Sequence, residues 1–326
     1  MRALMCHELG PADALRIDTV DDPVAGAGEV VVVLHAAGLN FPDTLAITGN
    51  YQIRPELPFT PGGEGAGRIS AVGRNVSNWT VGDRVIVSGA TGAFAEKILK
   101  RADEIVALPD AMDYATGAGF LAAYGTSYYA LKQRAQLQAG ETLLVLGAAG
   151  GVGLAAVDIG AALGAKVIAA ASSEEKLDVA GRAGAAERIN YTTENLKDRV
   201  KQLTDGRGAD VVYDPVGGDL SEQALRATGW DGRFLVVGFA AGEIPKVPLN
   251  LCLLKSNSIV GVFYGAWIAR EPDAYAANVA ELFALYENGD LTPLVTQVFP
   301  LEDYVEAFAT LTGRRAQGKI IFRIRN

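Results

Sequence analysis

A chain of 326 residues, 49% of them hydrophobic, can bury a large core, and its length favours two domains over one. Its formal charge of −9 argues against a nucleic-acid partner or an anionic membrane surface. The only cysteines, Cys6 and Cys252, exclude a disulfide framework and fit a reducing, cytoplasmic setting. The N-terminus reaches His7-Glu8 without a long apolar run, so no secretory signal is expected.

The first third reads as β-rich. Residues 15–20, 29–37, 65–72, 83–88 and 93–99 are short runs rich in Val and Ile, separated by Gly, Pro, Asn and Asp. Residues 55–67, with Pro55, Pro58, Pro61 and several glycines, read as a shaped loop. Residues 114–121 and 124–136 read as helices, the second with Tyr128, Leu131 and Ala135 on one face.

From residue 143 strands and helices alternate. Strands are expected at 143–146, 166–171, 188–190, 210–213, 234–238 and 259–263, and helices at 151–163, 174–182, 196–203 and 220–228. That order predicts a doubly wound parallel sheet. Helices at 274–288 and 301–311 and a strand at 319–323 follow.

The apolar strand 143–146 ends in Gly147-Ala148-Ala149-Gly150-Gly151-Val152-Gly153, and a helix follows. Strand, glycine turn and helix form a dinucleotide-binding unit: the backbone can approach a pyrophosphate, and N–H groups at the helix start hold the anion. The usual G-x-G-x-x-G has its first glycine where this chain has Ala148. A membrane span here is opposed by Asp158 and six glycines between Leu143 and Ala165.

Further motifs occur in order along the whole chain. They are Gly38-Leu39-Asn40-Phe41-Pro42-Asp43, Gly49-Asn50-Tyr51, Pro61-Gly62-Gly63-Glu64-Gly65-Ala66-Gly67, Val81-Gly82-Asp83-Arg84-Val85, Asp214-Pro215-Val216-Gly217-Gly218 and Gln317-Gly318-Lys319. With the glycine turn, they make the chain resemble the zinc-free quinone oxidoreductases of the medium-chain dehydrogenase/reductase superfamily. The resemblance implies an α/β protein with a Rossmann domain at 124–264. A β-rich GroES-like catalytic domain would be assembled from 1–123 and 265–326, with a cleft between the two and usually a homodimer. Residues 259–263, apolar and late in the sheet order, would supply a pairing edge.

Zinc-dependent relatives carry a metal-binding Cys where this chain has Asn40, and a His where it has Gly63. Their lobe with four Cys is missing between Val87 and Arg101, and Cys6, Cys252, His7 and His35 supply no ligand set, so no metal is expected.

NAD-preferring domains place an acid about 20 residues beyond the glycine turn. Here the second strand ends in Ala170-Ala171-Ser172-Ser173 without one. The resemblance places 2′-phosphate contacts on Ser172, Lys176, Tyr191 and Arg314, and NADPH is the expected cofactor. Ser172 with Glu175 also reads as a helix capping box, and Glu174 or Glu175 would repel a phosphate if turned inward. The turn residues Ala149, Gly150, Gly151 and Val152 would hold the pyrophosphate. Ser127, Gly238, Phe239 and Phe263 would lie at the nicotinamide end.

Without a metal, donors must stabilise charge developing on a substrate oxygen. Asn40 and Tyr51 lie in motifs that line the nicotinamide end in this family, and both can donate. Asn40 also reads as a turn residue, and Tyr51 as a stacking rim aromatic. Asp43 and Glu64 read as structural, bonding loop N–H groups or Arg, and His35 as a core histidine. Phe239, Phe263, Tyr264 and Trp267 fit an apolar pocket for a flat substrate, or packing and a dimer interface.

The expected activity is NADPH-dependent reduction of a quinone or α,β-unsaturated carbonyl compound. A 2-enoyl or haloacrylate-type double-bond reductase and a non-catalytic NADPH-binding protein are the alternatives.

Overall fold

The protein is described by a computed structural model over residues 1–325. The chain opens with an antiparallel pair, β1 (Arg2–Met5) and β2 (Arg16–Thr19). The β-branched run of β3 (Glu29–Leu39) follows, buried along most of its length. It leads into the short helix α1 (Phe41–Ile47) and then β4 (Glu64–Val72), its antiparallel partner. β5 (Arg84–Ser88), β6 (Lys97–Arg101), which pairs with β3, and β7 (Ile105–Ala107) extend this sheet. Asp113 caps helix α2 (Tyr114–Phe120) by accepting from Thr116 N at 2.7 Å.

The helix beyond α2 is irregular. Its α-helical piece α3 (Thr126–Tyr128) is flanked by π-helical turns at Leu121–Gly125 and Tyr129–Arg134. Strands and helices then alternate: β8 (Thr142–Leu146), α4 (Gly151–Ala162), β9 (Lys166–Ala171), α5 (Glu174–Arg182), β10 (Glu187–Asn190) and α6 (Leu196–Leu203). Next come β11 (Ala209–Asp214), α7 (Asp219–Ala227), β12 (Thr228–Val236), α8 (Asn250–Lys255) and β13 (Ser258–Gly261). All six strands are parallel, in the order β10-β9-β8-β11-β12-β13. The order reverses at β8, as in a doubly wound nucleotide-binding sheet. Helices α9 (Tyr264–Arg270) and α10 (Pro272–Glu287) follow.

The chain then returns to the first sheet through β14 (Val295–Pro300), α11 (Tyr304–Thr312) and β15 (Lys319–Arg323). β15 pairs antiparallel with β3 and parallel with β14, and the sheet path runs β14-β15-β3-β4-β5-β7. Among the described residues, no helix is long and apolar enough to cross a membrane.

The chain divides into two compact units, one of 1–122 with the segment from Pro293, the other Ala123–Thr292. The expected boundaries lie at 123/124 and 264/265, and the compact units divide at 122/123 and at Thr292/Pro293, so that 265–292 groups with the nucleotide unit. The reason is packing of α9 and α10 within the nucleotide unit. Trp267 stacks on Tyr129 at 4.4 Å, Gln133 exchanges hydrogen bonds with Asn278, and Tyr128 and Lys132 both bond Glu281.

Other differences are local. β1, α1, β7, β14, α8 and α9 lie outside the expected elements. Each is short, so too few apolar positions repeat for a period to show. The expected strand 93–99 begins only at Lys97, because Phe94 is buried in the core and its carbonyl accepts from Leu4 N. β12 starts early, at Thr228, which pairs with Ala209 before a register shift. Tyr128, Leu131 and Ala135 are all buried as expected.

Candidate functional site

In the nucleotide unit, β8 ends at Leu146 and the chain turns through Gly147 at φ +58°. A Cβ on Gly153 would lie 2.2 Å from Gly147 O, so glycine is required there for the first turn of α4 to pack on the turn. Ala148 needs no special conformation: it is buried and donates its N–H to Ala170 O at 3.2 Å. That contact explains why alanine serves where the motif has glycine. Gly150, extended at ψ 168°, precedes Gly151 and Val152, whose N–H groups belong to the helix turn that lacks intrahelical partners. Ala149, Gly150, Gly151 and Val152 therefore form a backbone cradle suited to a pyrophosphate.

A loop after β11 faces this turn. Asp214 is buried and accepts from Val216 N (2.8 Å), Gly217 N (2.9 Å) and Ser221 Oγ (2.5 Å). Burial pushes its carboxyl upward, against those hydrogen bonds. Gly217 and Gly218 both have positive φ, and the Val216 side chain lies against Gly147. Gly238 N donates to Asp214 O at 3.3 Å, and Phe239 packs on Gly217, which joins the expected nicotinamide residues to this loop. Ser127 is fully buried, with its Oγ donating to Val152 O (2.8 Å) and paired with Tyr213 Oη (2.9 Å). Its hydroxyl thus ties α3 to the start of α4. Phe263 follows β13 and is half exposed.

At the tips of β9 and β10, Lys176 Nζ donates to Ser172 Oγ at 3.1 Å. Tyr191 N donates to Ala171 O at 3.1 Å. Ser172, Lys176 and Tyr191 are brought together within this unit. The cap of α5 is Ser173, which accepts from Lys176 N at 3.4 Å, so Ser172 is spared for the lysine. Glu174 is held by Asn190 Nδ2 at 2.8 Å. Arg314 belongs to the other unit, at φ +56° after α11.

The β-rich unit carries a buried polar cluster where β3, β4 and β15 meet. Glu64 is 1% exposed and Lys319 8%, with Nζ and Oε1 2.7 Å apart. Glu64 Oε1 also accepts from Asn40 Nδ2 (2.9 Å), and Oε2 from Ala122 N (3.0 Å). Lys319 Nζ donates to Asn40 Oδ1 at 2.6 Å. The remaining Asn40 amide hydrogen has a 3.4 Å contact with Gly38 O. Two glycines make room: a Cβ on Gly38 would lie 2.5 Å from Glu64 Oε1, and one on Gly119 3.1 Å from the Lys319 stem.

Asp43, also buried, accepts from Asn40 N at 2.8 Å. Burial pushes its carboxyl up to about 7, opposed by backbone N–H groups and the Lys319 ammonium. α1 ends at Ile47, Gly49 follows at φ +71°, and Tyr51 beyond it is half-buried. Burial, then the nearby Asp43 charge, raise the Tyr51 phenol, so it remains a proton-bearing donor at neutral pH. His35 stacks on Tyr114 at 4.2 Å inside β3. Asp43 and Glu64 bond N–H groups as expected, but the cation on Glu64 is Lys319, not Arg. Sequence reasoning missed Lys319, Asp214 and Tyr213 as site organisers, although the first two stand in quoted motifs.

A nucleotide-binding parallel sheet inserted into a β-rich unit is the architecture of a medium-chain dehydrogenase/reductase. The chain matches the alcohol dehydrogenase GroES-like domain over residues 26–126 and the zinc-binding dehydrogenase family over 151–284. It is 41% identical to quinone oxidoreductase-like protein 2 homolog of Nematostella vectensis over 98% of this chain and 88% of the relative. It is 35% identical to human quinone oxidoreductase over 98% and 97% of the two chains. The crystal structure of Escherichia coli quinone oxidoreductase complexed with NADPH superposes with a TM-score of 0.92 at 32% identity, over 99% and 100% of the chains. The chain belongs to the quinone oxidoreductase family of medium-chain dehydrogenases/reductases.

Proposed function

We propose that the protein is an NADPH-dependent, zinc-independent reductase of quinones or related α,β-unsaturated carbonyl compounds. The observation that carries this reading is the Lys319 ammonium, 2.6 Å from Asn40 and 2.7 Å from Glu64. It fixes a positive charge on the very residue that replaces a metal-binding Cys. NADPH, with which the Escherichia coli structure is complexed, is supported here by the glycine cradle and by Ser172 with Lys176, where no carboxylate ends β9. Ala149, Gly150, Gly151 and Val152 would hold the pyrophosphate. Ser172, Lys176 and Tyr191 would hold the 2′-phosphate, and Ser127, Gly238, Phe239 and Phe263 would border the nicotinamide.

When bound, the cofactor supplies a hydride. Tyr51 donates a hydrogen bond to the substrate oxygen as it gains negative charge and, for an enone, passes it a proton that solvent replaces. Asn40, its amide orientation fixed by Glu64 and Lys319, would turn its second amide hydrogen from the long 3.4 Å contact with Gly38 O toward the substrate oxygen. The deciding experiment follows NADPH consumption with quinones, enones and enoyl thioesters, with and without chelator, beside elemental analysis. Turnover of quinones or enones without zinc is expected. Preference for enoyl thioesters would move the assignment to an enoyl reductase, and no turnover of any class would overturn an enzymatic role.

A homodimer belongs to the same reading. β13 is a sheet edge with Ile259 partly exposed in it, and Leu253 (81% exposed) and Leu254 (67%) in α8, just before it in the chain, are exposed apolar residues. Light scattering at micromolar concentration should give twice the chain mass, and a monomer would reject it.

A further inference from the structure

Glu174 opens α5 two residues after Ser172, beside the group expected to meet a phosphate. A carboxylate in this region normally selects against a 2′-phosphate, by repulsion and by bonding the ribose hydroxyl. The structure shows what restrains it. Asn190, buried at the end of β10, donates Nδ2 to Glu174 Oε1 at 2.8 Å. Its amide cannot turn over without loss, because Oδ1 accepts from Thr192 Oγ1 (2.6 Å) and Thr192 N (3.2 Å). Its own N–H is fixed on Glu194 Oε1 at 2.9 Å. The strand tips therefore sort opposite charges, with the carboxylate on Asn190 and the Lys176 ammonium on Ser172.

We propose that Asn190 is a specificity-determining positioning residue: it holds Glu174 off the Ser172–Lys176 pair and so keeps this end of the site selective for a ribose 2′-phosphate. The inference rests on reading Ser172, Lys176 and Tyr191 as the 2′-phosphate site. Released, Glu174 would bring a negative charge toward the phosphate, and NADPH would lose affinity while NADH, lacking that phosphate, would not.

The test measures dissociation constants for NADPH and NADH on the full-length protein by titration calorimetry. Asn190→Ala should weaken NADPH roughly 5- to 20-fold, the scale of a unit charge acting through solvent rather than in direct contact, with little change for NADH. Glu174→Ala alone should not weaken NADPH, and in the Asn190→Ala/Glu174→Ala double variant it should restore the loss. Asn190→Asp keeps the shape and the Thr192 acceptor but sets a like charge against Glu174. It should therefore lower NADPH affinity at least as much, and it serves if the alanine variant folds poorly. Equal losses for both cofactors, or no rescue by Glu174→Ala, would overturn the inference. Lys176→Ala run in parallel separates the failures. If it is selective for NADPH while Asn190→Ala is not, only the role of Asn190 falls. If it weakens both cofactors alike, the 2′-phosphate reading falls and takes this inference with it.

Discussion

The two units build their polar sites in opposite ways. In the nucleotide unit the cradle is main chain, from Gly147 to Val152, and the Ser172–Lys176 contact joins residues close in sequence. In the β-rich unit the site is a buried knot of side chains, Asn40, Asp43, Glu64 and Lys319, drawn from two strands, a helix and the junction between β3 and that helix. A backbone cradle tolerates side-chain change but not a misplaced Cβ. A buried charge cluster does the reverse: its partners must all be present, because each lost one strands a charge away from water.

The sharpest way to break this contrast is Lys319→Met. It leaves Glu64 buried and uncompensated, which should cost about 3–5 kcal/mol in urea denaturation. The double variant Glu64→Gln/Lys319→Met removes both charges and should recover most of that loss. A single variant within 1 kcal/mol of the parent, a margin small against the expected loss, would show that the pair is not an energetic unit.

This contrast also decides what was legible in the sequence. The glycine turn and β9 could be read because turn chemistry and strand-helix order act over a few residues, whereas the grouping of Ser172, Lys176 and Tyr191 came only from the family resemblance. The Glu64–Lys319 pair spans 255 residues, and no periodicity announces such a contact. Lys319 stood in view within Gln317-Gly318-Lys319, yet only the pairing of β15 with β3 brings it to Asn40. The same holds for the second crossing. Glu281 and Asn278 tie α10 to the irregular helix through side chains far apart in sequence, so α10 belongs with the nucleotide sheet.

Asp43 gives the contrast a pH signature. Its carboxyl, held up to about 7 in the folded chain, lies near 3.9 when unfolded. The folded state therefore binds this proton more tightly, so the contribution to stability is full below about pH 4 and is lost as pH rises to about 7. The loss amounts to at most about 4 kcal/mol. Asp43→Asn should remove that part of the slope when stabilities at pH 5 and pH 8 are compared with the parent. Parallel profiles would mean that Asp43 does not titrate in this window.

Tyr51 tests whether the β-rich cluster serves chemistry as well as folding. Tyr51→Phe keeps the ring and removes the donor, which should lower kcat about 10²–10³-fold with an enone. NADPH affinity should change little. A quinone, which accepts electrons without needing a proton donor, should show a smaller loss. Full activity on both substrate classes would remove Tyr51 from the mechanism and leave the stacking role.

The smallest effect of these is expected where one part-buried side chain supplements the backbone cradle. Lys176 reaches Ser172 from the first turn of α5, beside the end of a strand that carries no acid. A hydrogen bond to a charged group contributes about 1.5–3 kcal/mol, so Lys176→Ala should weaken NADPH roughly 10- to 100-fold. NADH meets the same glycine turn but has no 2′-phosphate, so its affinity should hold. The outcome divides cleanly along the two modes of binding. A loss confined to NADPH assigns Lys176 to the phosphate and leaves the cradle as the shared anchor. An equal loss for both cofactors would mean that Lys176 acts by shaping the turn between β9 and α5, through Ser172, rather than by meeting the phosphate. Raising the salt concentration discriminates further, because screening should weaken a charge contact to the phosphate and leave a turn-shaping role untouched.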